Sequence, residues 1–189
     1  MKNINQYITE KLKISKNQKT EYTLFPKDLH ELDKMIVNEI EKNGWNCSLN
    51  HIDTSKITSM HRLFEESKFN GDISQWDVSN VTNMHRMFQE SKFNGDISNW
   101  DVSKVTTMES MFAWGKFDGD IYNWDVSNVK NMNGMFYYSK FNGDISQWNV
   151  SNVTDMGGMF SGSNFNNDSI CKWDVSNVKI MKYMFSISK

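Results

Sequence analysis

Apolar residues recur with the same spacing from about residue 46 to the end of this chain. Each repeat is close to Phe-Asn-Gly-Asp-Ile-Ser-x-Trp-Asp-Val-Ser-x-Val-Thr-x-Met-x-x-Met-Phe. A fixed period of this kind indicates one structural unit that is copied and stacked. We therefore predict an α/β repeat solenoid of six coils over residues 46–189, with an irregular first coil around residues 49–55. The repeat is marked by tryptophans that return every 24 residues and finally after 25, at Trp76, Trp100, Trp124, Trp148 and Trp173.

The pattern within one repeat predicts a short strand followed by a short helix. Residues 71–76 place Ile73 and Trp76 inward between polar neighbours, which suits a very short strand. Residues 81–88 put apolar side chains at i, i+3, i+6 and i+7, which line one face of a helix or a 3₁₀ turn. Stacking the units would give short parallel strands and a core of columns of like residues, in which most of the 13 methionines are core filling.

The segment before the repeats predicts a helical N-terminal cap over residues 21–45. A helix is expected from about residue 27 or 28 through 43, because Pro26 favours its start and Gly44 its end. One face of this helix is apolar and would cover the first coil. That face carries Leu29, Leu32, Met35, Ile36 and Ile40.

Residues 1–20 form a Lys-rich leader whose role stays open. Ile4, Tyr7, Ile8 and Leu12 form an apolar stripe, and lysines gather near its end. The leader is either a mobile tail or partner-docking segment, a part of the cap, or a helix that lies on a membrane surface.

The repeat resembles the BspA-like leucine-rich-repeat surface proteins of bacteria, a family also known as a domain of unknown function abundant in mycoplasma lipoproteins. Its hallmark motif is matched almost letter for letter at residues 72–88, 96–112, 120–136 and 144–160. The resemblance implies a right-handed leucine-rich-repeat-like coil used for protein recognition or adhesion, and it implies no catalytic residues. Similar arrays also occur in proteins encoded by phages of gut bacteria.

Composition narrows the possible functions. The 21 Lys and Arg nearly balance the 23 Asp and Glu, which argues against a nucleic-acid partner. No apolar run reaches the ~20 residues that span a bilayer, and no secretion signal is recognisable, so a cytoplasmic or virion-associated location is expected. Cys47 and Cys171 lie at opposite ends of the array, where a disulfide between them is implausible.

Motifs that carry catalysis or bind cofactors are missing, so we expect neither an enzyme nor a cofactor. The stacked Asp columns suggest Ca²⁺, but the turn positions of these residues favour main-chain hydrogen bonding, and no metal is expected. His61-Arg62 and His85-Arg86 occupy equivalent positions. They form either an anion site or, more simply, a solvated surface.

The places where the repeats differ are the best candidates for a binding site. The acidic or amide pairs of the first coils, Glu65-Glu66 and Gln89-Glu90, are replaced by aromatic residues in the middle of the array. Exposed Trp and Tyr dominate protein-binding hot spots, although they can also be incidental surface residues packed on their neighbours. Tyr122 replaces a Ser and could belong to a second patch. The candidate partner-binding residues are Trp114, Tyr122, Tyr137 and Tyr138.

These observations favour a non-catalytic protein–protein interaction module, as an intracellular or phage-encoded binding protein or inhibitor. The alternative is a structural or adhesion component of a virion or cell surface that docks through its N-terminal segment.

Overall fold

The computed structural model describes residues 21–188, so the Lys-rich leader of residues 1–20 lies outside the described residues. The described part contains one α-helix, α1, at Leu29–Asn43, and one 3₁₀ helix at Asp168–Lys172. No continuous strand occurs in residues 21–188, and isolated parallel bridges join successive repeats instead. The rest of the described residues lie in turns and irregular segments.

The predicted N-terminal helix is confirmed as α1. Its first turn is capped by Asp28, whose Oδ1 accepts a hydrogen bond from the Glu31 N–H at 2.9 Å. Gly44 ends the helix at φ +85°, and its N–H donates to the Ile40 carbonyl at 2.7 Å. The predicted apolar face packs against the core of the repeats. Within that face Leu32 and Ile36 are buried, and Leu29, Met35 and Ile40 are partly buried.

Successive repeats lie one above the other, joined by main-chain hydrogen bonds. In the second repeat every other residue from Met84 to Glu90 donates its N–H to a main-chain carbonyl of the third repeat, at 2.8 to 3.1 Å. Elsewhere the direction reverses, since the Thr82 N–H donates back to the Thr58 carbonyl at 2.8 Å. A column of parallel bridges marks the same stacking at Ser59, Asn83, Thr107, Asn131, Asp155 and Ile180.

Where the sequence predicts a short strand followed by a helix or a 3₁₀ turn, the structure has an isolated bridge followed by turns, and no α-helix. Residues 71–76 contain one isolated bridge, at Asp72, and then a turn. In residues 81–88 an isolated bridge at Asn83 is followed by turns from residue 85 onward, and the Met87 N–H donates to the Met84 carbonyl at 3.2 Å. Arg86 has a left-handed backbone at φ +56°, which no α-helix accepts. Alternate N–H groups, such as those of Arg86 and Phe88, donate to the next repeat instead of bonding within a helix.

The core consists of the predicted columns of like side chains. Phe88 and Phe112 stack in parallel with ring centroids 5.7 Å apart. Each repeat tryptophan also donates its indole N–H to a main-chain carbonyl of the preceding repeat, as Trp124 does to Ile97 at 3.1 Å. Tryptophan therefore fills space and pairs a buried carbonyl at the same time. Valine adds two further buried columns, which begin at Val78 and Val81.

Aspartates shape the turns between these core positions. The Asp101 Oδ1 accepts a hydrogen bond from the Ser103 N–H at 3.0 Å, and equivalent Asp side chains do the same in other repeats. In the fifth repeat Asn149 takes this role through its own Oδ1, at 3.2 Å from the Ser151 nitrogen. The turn therefore needs a side-chain oxygen, and a negative charge is not required.

The Asp101 turn predicts a loss of stability in acid. Hydrogen bonds from the Ser103 side chain and then from its N–H lower the pKa of Asp101. A lowered folded pKa contributes stability above the unfolded value of about 3.9, and this contribution is lost as the pH falls through the folded pKa. We expect Asp101→Asn, which copies Asn149, to lose less stability than the parent between pH 5 and about 2. Urea unfolding across this range measures the difference, and parallel pH profiles would contradict the assignment.

Candidate functional site

The side chains that differ most between repeats share one surface, which we call the variable face. It consists of four columns in the turns that follow the methionine column. Most of its side chains are at least partly exposed, but Ala113 and Ser161 are buried. From the first repeat to the sixth the columns are occupied by His61-Arg62-Glu65-Glu66, His85-Arg86-Gln89-Glu90, Glu109-Ser110-Ala113-Trp114, Asn133-Gly134-Tyr137-Tyr138, Gly157-Gly158-Ser161-Gly162 and Lys182-Tyr183-Ser186-Ile187.

The backbone of this face is the same whichever side chain it carries. In the last column Glu66, Glu90, Trp114 and Tyr138 all lie in the left-handed region, with φ between +51° and +58°. Glutamate and aromatic residues therefore occupy the same local conformation. The aromatic side chains are not required for the turn to form.

Trp114, Tyr137 and Tyr138 form one cluster, which we call the aromatic patch. The Trp114 and Tyr138 rings stack with centroids 4.1 Å apart and an angle of 8° between their planes. Tyr137 packs edge-on against both, at 5.5 Å from Trp114 and 4.7 Å from Tyr138. Trp114 nevertheless stays 48% exposed and Tyr138 36% exposed. The structure thus brings three of the four sequence-predicted site residues together.

Tyr122 does not join the aromatic patch. It lies in a separate turn, where its N–H donates to the Asp120 Oδ1 at 2.9 Å. Its side chain is half-buried, and it forms no ring contact with the patch. Tyr122 is therefore not part of the aromatic patch. If it contributes to binding, it does so from a second surface.

Gly162 fixes the position of the Tyr138 ring. A Cβ added at Gly162 would lie 2.8 Å from three atoms of that ring, so the ring rests directly on the glycine backbone. Tyr138 is consequently held between Trp114 on one side and Gly162 on the other. The patch is ordered before any partner arrives.

The first three repeats make the variable face charged. Glu65 lies 3.6 Å from Arg62 and 3.8 Å from Arg86, so the two arginines share this carboxylate. Glu66 and Glu90 form no ion pair with any other residue of the described part of the chain. The predicted His-Arg pairs are thus partly neutralised by glutamate, which weakens their case as an anion site.

His85 is close to a third glutamate. Its Nδ1 lies 3.6 Å from the Glu109 carboxylate. Burial lowers the pKa of His85, and the nearby arginines act in the same direction, while Glu109 opposes them. Since the ordinary value is about 6.5, the imidazole is largely neutral at pH 7. The uncharged imidazole therefore forms no ion pair with Glu109 at that pH.

In the last three repeats the variable face has a single charged residue, Lys182. Together with Ser110 of the third repeat, this part of the face lines an open cavity of about 600 Å³, which we call the glycine cleft. Its floor is formed by Ser110, Gly134, Gly157 and Gly158. Tyr137 and the 64% exposed Tyr183 also line the cavity. The cleft exists because glycines stand where earlier repeats have His, Arg or Glu side chains. Tyr137 belongs to both the cleft and the aromatic patch.

Two overlapping stretches, residues 30–139 and 113–189, match the model of a family described as "Mycoplasma protein of unknown function, DUF285". The chain belongs to this family. The DUF285 matches include nearly all of α1 and every repeat, and therefore the whole variable face. No curated protein and no solved structure matches the chain. No helix within residues 21–188 is long and apolar enough to cross a membrane.

The sequence alone did not predict the glycine cleft in this DUF285 chain. Glycine in a turn is ordinarily explained by its backbone freedom. The available signal was positional, because Gly134 and Gly158 align with Arg62 and Arg86 in the same column. Comparing each column across all repeats would have found the cavity.

Proposed function

We propose that this DUF285 chain is a non-catalytic protein-binding module and that its variable face recognises a protein partner. The observation that supports this proposal best is the aromatic patch. It occupies positions where the same backbone accepts glutamate, so its exposed rings do not serve the fold. The resemblance to BspA-like leucine-rich repeats supports the further proposal that the stack is a right-handed, leucine-rich-repeat-like solenoid.

The order within the aromatic patch favours binding. Tryptophan and tyrosine are enriched among the residues that contribute most to interface affinity. Side chains that are mobile before binding lose about 0.5–1.5 kcal/mol each when an interface immobilises them. Trp114 and Tyr138 are already held by their mutual stacking and by Gly162. Most of the conformational entropy of these two side chains is therefore lost during folding and not when the partner binds.

The charged residues of the variable face orient the partner on this surface. Glu66 and Glu90 continue the column of Trp114 and Tyr138 toward the N-terminal end. Carboxylates beside an apolar centre attract a partner with complementary charge and disfavour one with like charge. We accordingly infer a partner surface with an apolar centre and a basic edge.

The test is the double variant Trp114→Glu with Tyr138→Glu. Because Glu66 and Glu90 adopt the same φ, the variant should keep the circular-dichroism spectrum and the unfolding midpoint of the parent. The loss of two hot-spot side chains should weaken partner affinity by at least about 30-fold. The affinity is measured for a partner recovered from lysate with the parent chain.

Tyr122→Ser is the matched control, since Ser74, Ser98 and Ser146 occupy the equivalent turn position. It should leave the affinity unchanged. Equal partner affinity of the parent and the double variant would exclude the aromatic patch as the binding site.

A further inference from the structure

A groove follows one side of α1, where the helix rests on the first repeat. Two cavities, of about 380 and 610 Å³, lie along this side, and Leu63 of the first repeat lines both. On the helix they are lined by Leu29, Asp33, Val37 and Glu41, which are four residues apart and therefore share one face of α1. We call this surface the cap groove. It extends for about 18 Å, at 1.5 Å per helical residue.

The cap groove contains apolar side chains that nothing in residues 21–188 covers. Val37 is 46% exposed and Trp45 is 47% exposed, and both line the larger cavity. On the neighbouring face of α1, by contrast, Leu32 and Ile36 are buried in the core. The helix thus covers the first repeat with one face and leaves the adjoining face open.

The larger cavity is also acidic. Glu41, Glu65 and Glu66 line it, and no Lys, Arg or His among the described residues does. Glu65 is shared by the two arginines of the variable face, but neither Glu41 nor Glu66 forms an ion pair within residues 21–188. The smaller cavity has mixed charge, with Asp33 and Arg62 in its lining. A well-matched occupant therefore combines apolar with basic side chains.

The first repeat has unpaired main-chain acceptors in the same place. In the second repeat the His85 carbonyl accepts the Arg62 N–H at 2.9 Å. The equivalent carbonyls of the first repeat, those of His61, Leu63 and Glu65, accept no main-chain hydrogen bond from residues 21–188. The interior of α1 cannot pair them, because helical N–H groups bond to carbonyls of the helix itself. Lysine ammonium groups can donate to such carbonyls.

The Lys-rich leader of this chain carries the matching side chains. Its apolar stripe is formed by Ile4, Tyr7, Ile8 and Leu12 at helical spacing. Residues 1–20 contain five lysines and one glutamate. The leader is therefore apolar and basic, whereas the larger cavity is apolar and acidic.

The described chain begins within reach of the cap groove. The Thr23 N–H donates to the His51 carbonyl at 2.9 Å, and the His51 Nε2 lies 3.4 Å from the carboxylate of Glu39 on α1. The groove lies on the same helix, which is ~10–12 Å across with its side chains. The eight residues between Leu12 and Glu21 span up to ~26 Å when extended. They are long enough to carry the stripe around α1.

From these features we propose that the Lys-rich leader of residues 1–20 docks into the cap groove of its own chain. The apolar stripe covers Val37 and Trp45, and the lysines pair with Glu41, Glu66 and the unpaired carbonyls of the first repeat. The leader thereby forms a second layer of the N-terminal cap. This inference does not depend on the binding of a partner at the variable face.

Photo-crosslinking within the full 189-residue chain tests the docking. The photoreactive residue p-benzoylphenylalanine replaces Tyr7, within the stripe, or Gln6, which helical spacing places on the opposite side. From position 7 we expect crosslinks within one chain to residues 37–45 or 63–67, with a yield that does not change on dilution and exceeds that from position 6. Crosslinks confined to the last repeat, crosslinks formed only between two copies, or equal yields from both positions would overturn the proposal.

Val37→Lys and Asn38→Lys form a matched pair of protein variants. Both positions are exposed on α1 and both gain the same charge, but of the two only Val37 lines the cap groove. Both variants should keep the circular-dichroism spectrum of the parent. Val37→Lys should lower the crosslinking yield from position 7 at least about tenfold, and Asn38→Lys should change it less than about twofold. Equal yields from the two variants would show that the leader does not occupy the groove.

Discussion

Trp124→Ala should destabilise the protein by about 3–5 kcal/mol, one of the largest effects of any single substitution here. Trp124 is 3% exposed, and its ring packs at a tilt of 31° against Phe112 of the preceding repeat, with ring centroids 6.3 Å apart. Removing it leaves a cavity in the middle of the stack, where both neighbouring repeats hold their positions. The variant also leaves the Ile97 carbonyl without its indole donor. Urea unfolding followed by circular dichroism measures the loss.

Two further variants separate the contributions of Trp124. Trp124→Phe keeps most of the ring but removes the indole N–H, so it should cost about 1–3 kcal/mol for the unpaired carbonyl together with a smaller void. Trp114→Ala is the control on the variable face, because Trp114 is half-exposed and carries no part of the core. Its expected change stays below about 1 kcal/mol. Equal losses for Trp124→Ala and Trp114→Ala would contradict the division between core and face.

Gly71→Ala should cost about 3 kcal/mol through main-chain displacement. A Cβ at Gly71 would lie 1.9 Å from the Cys47 carbonyl oxygen, which also accepts the Asp72 N–H at 3.2 Å. Neither the Gly71 main chain nor the Cys47 carbonyl can move without breaking the contact between the irregular first repeat and the second repeat. Chemical unfolding at neutral pH gives the free-energy difference.

Gly143→Ala is the matched control in the same column. Both glycines would place a Cβ 2.8 Å from the ring of the preceding phenylalanine, so this contact cancels in the comparison. The nearest carbonyl of the neighbouring repeat, that of Gly119, is 3.8 Å away from the Gly143 position. Gly143→Ala should therefore be milder by about 2 kcal/mol. Identical losses would show that the ring contact, and not the Cys47 carbonyl, limits this column.

The sequence predicted the core columns and α1 because the repeat period and the helix-capping residues are both visible in the sequence itself. A period of 24 residues identifies which side chains stack, and Asp28 with Gly44 marks the ends of the helix. The spacing i, i+3, i+7 did not identify the backbone of the repeat. The same spacing also fits a chain of turns, and the choice depends on hydrogen bonds to the next repeat, such as that from Arg86 to Glu109.

The candidate site was predictable in part for a similar reason. Trp114, Tyr137 and Tyr138 depart from the repeat and share its outward columns, so the aromatic patch followed from comparison of the repeats. Tyr122 departs from the repeat in a different turn, and the sequence could not show how far that turn lies from the patch. The cleft exists because two successive repeats have glycine where earlier repeats have larger side chains. This pattern is visible only when whole columns are compared.

Site-specific photo-crosslinking tests the central claim most directly, namely that a partner binds at the variable face, where the repeats differ in sequence. The photoreactive residue p-benzoylphenylalanine is placed at Glu90, beside the aromatic patch, or at Lys104, which is exposed in another turn. Neither replacement removes an aromatic ring. The account predicts that the partner crosslinks from position 90 and not from position 104. Crosslinking from position 104 alone would contradict it.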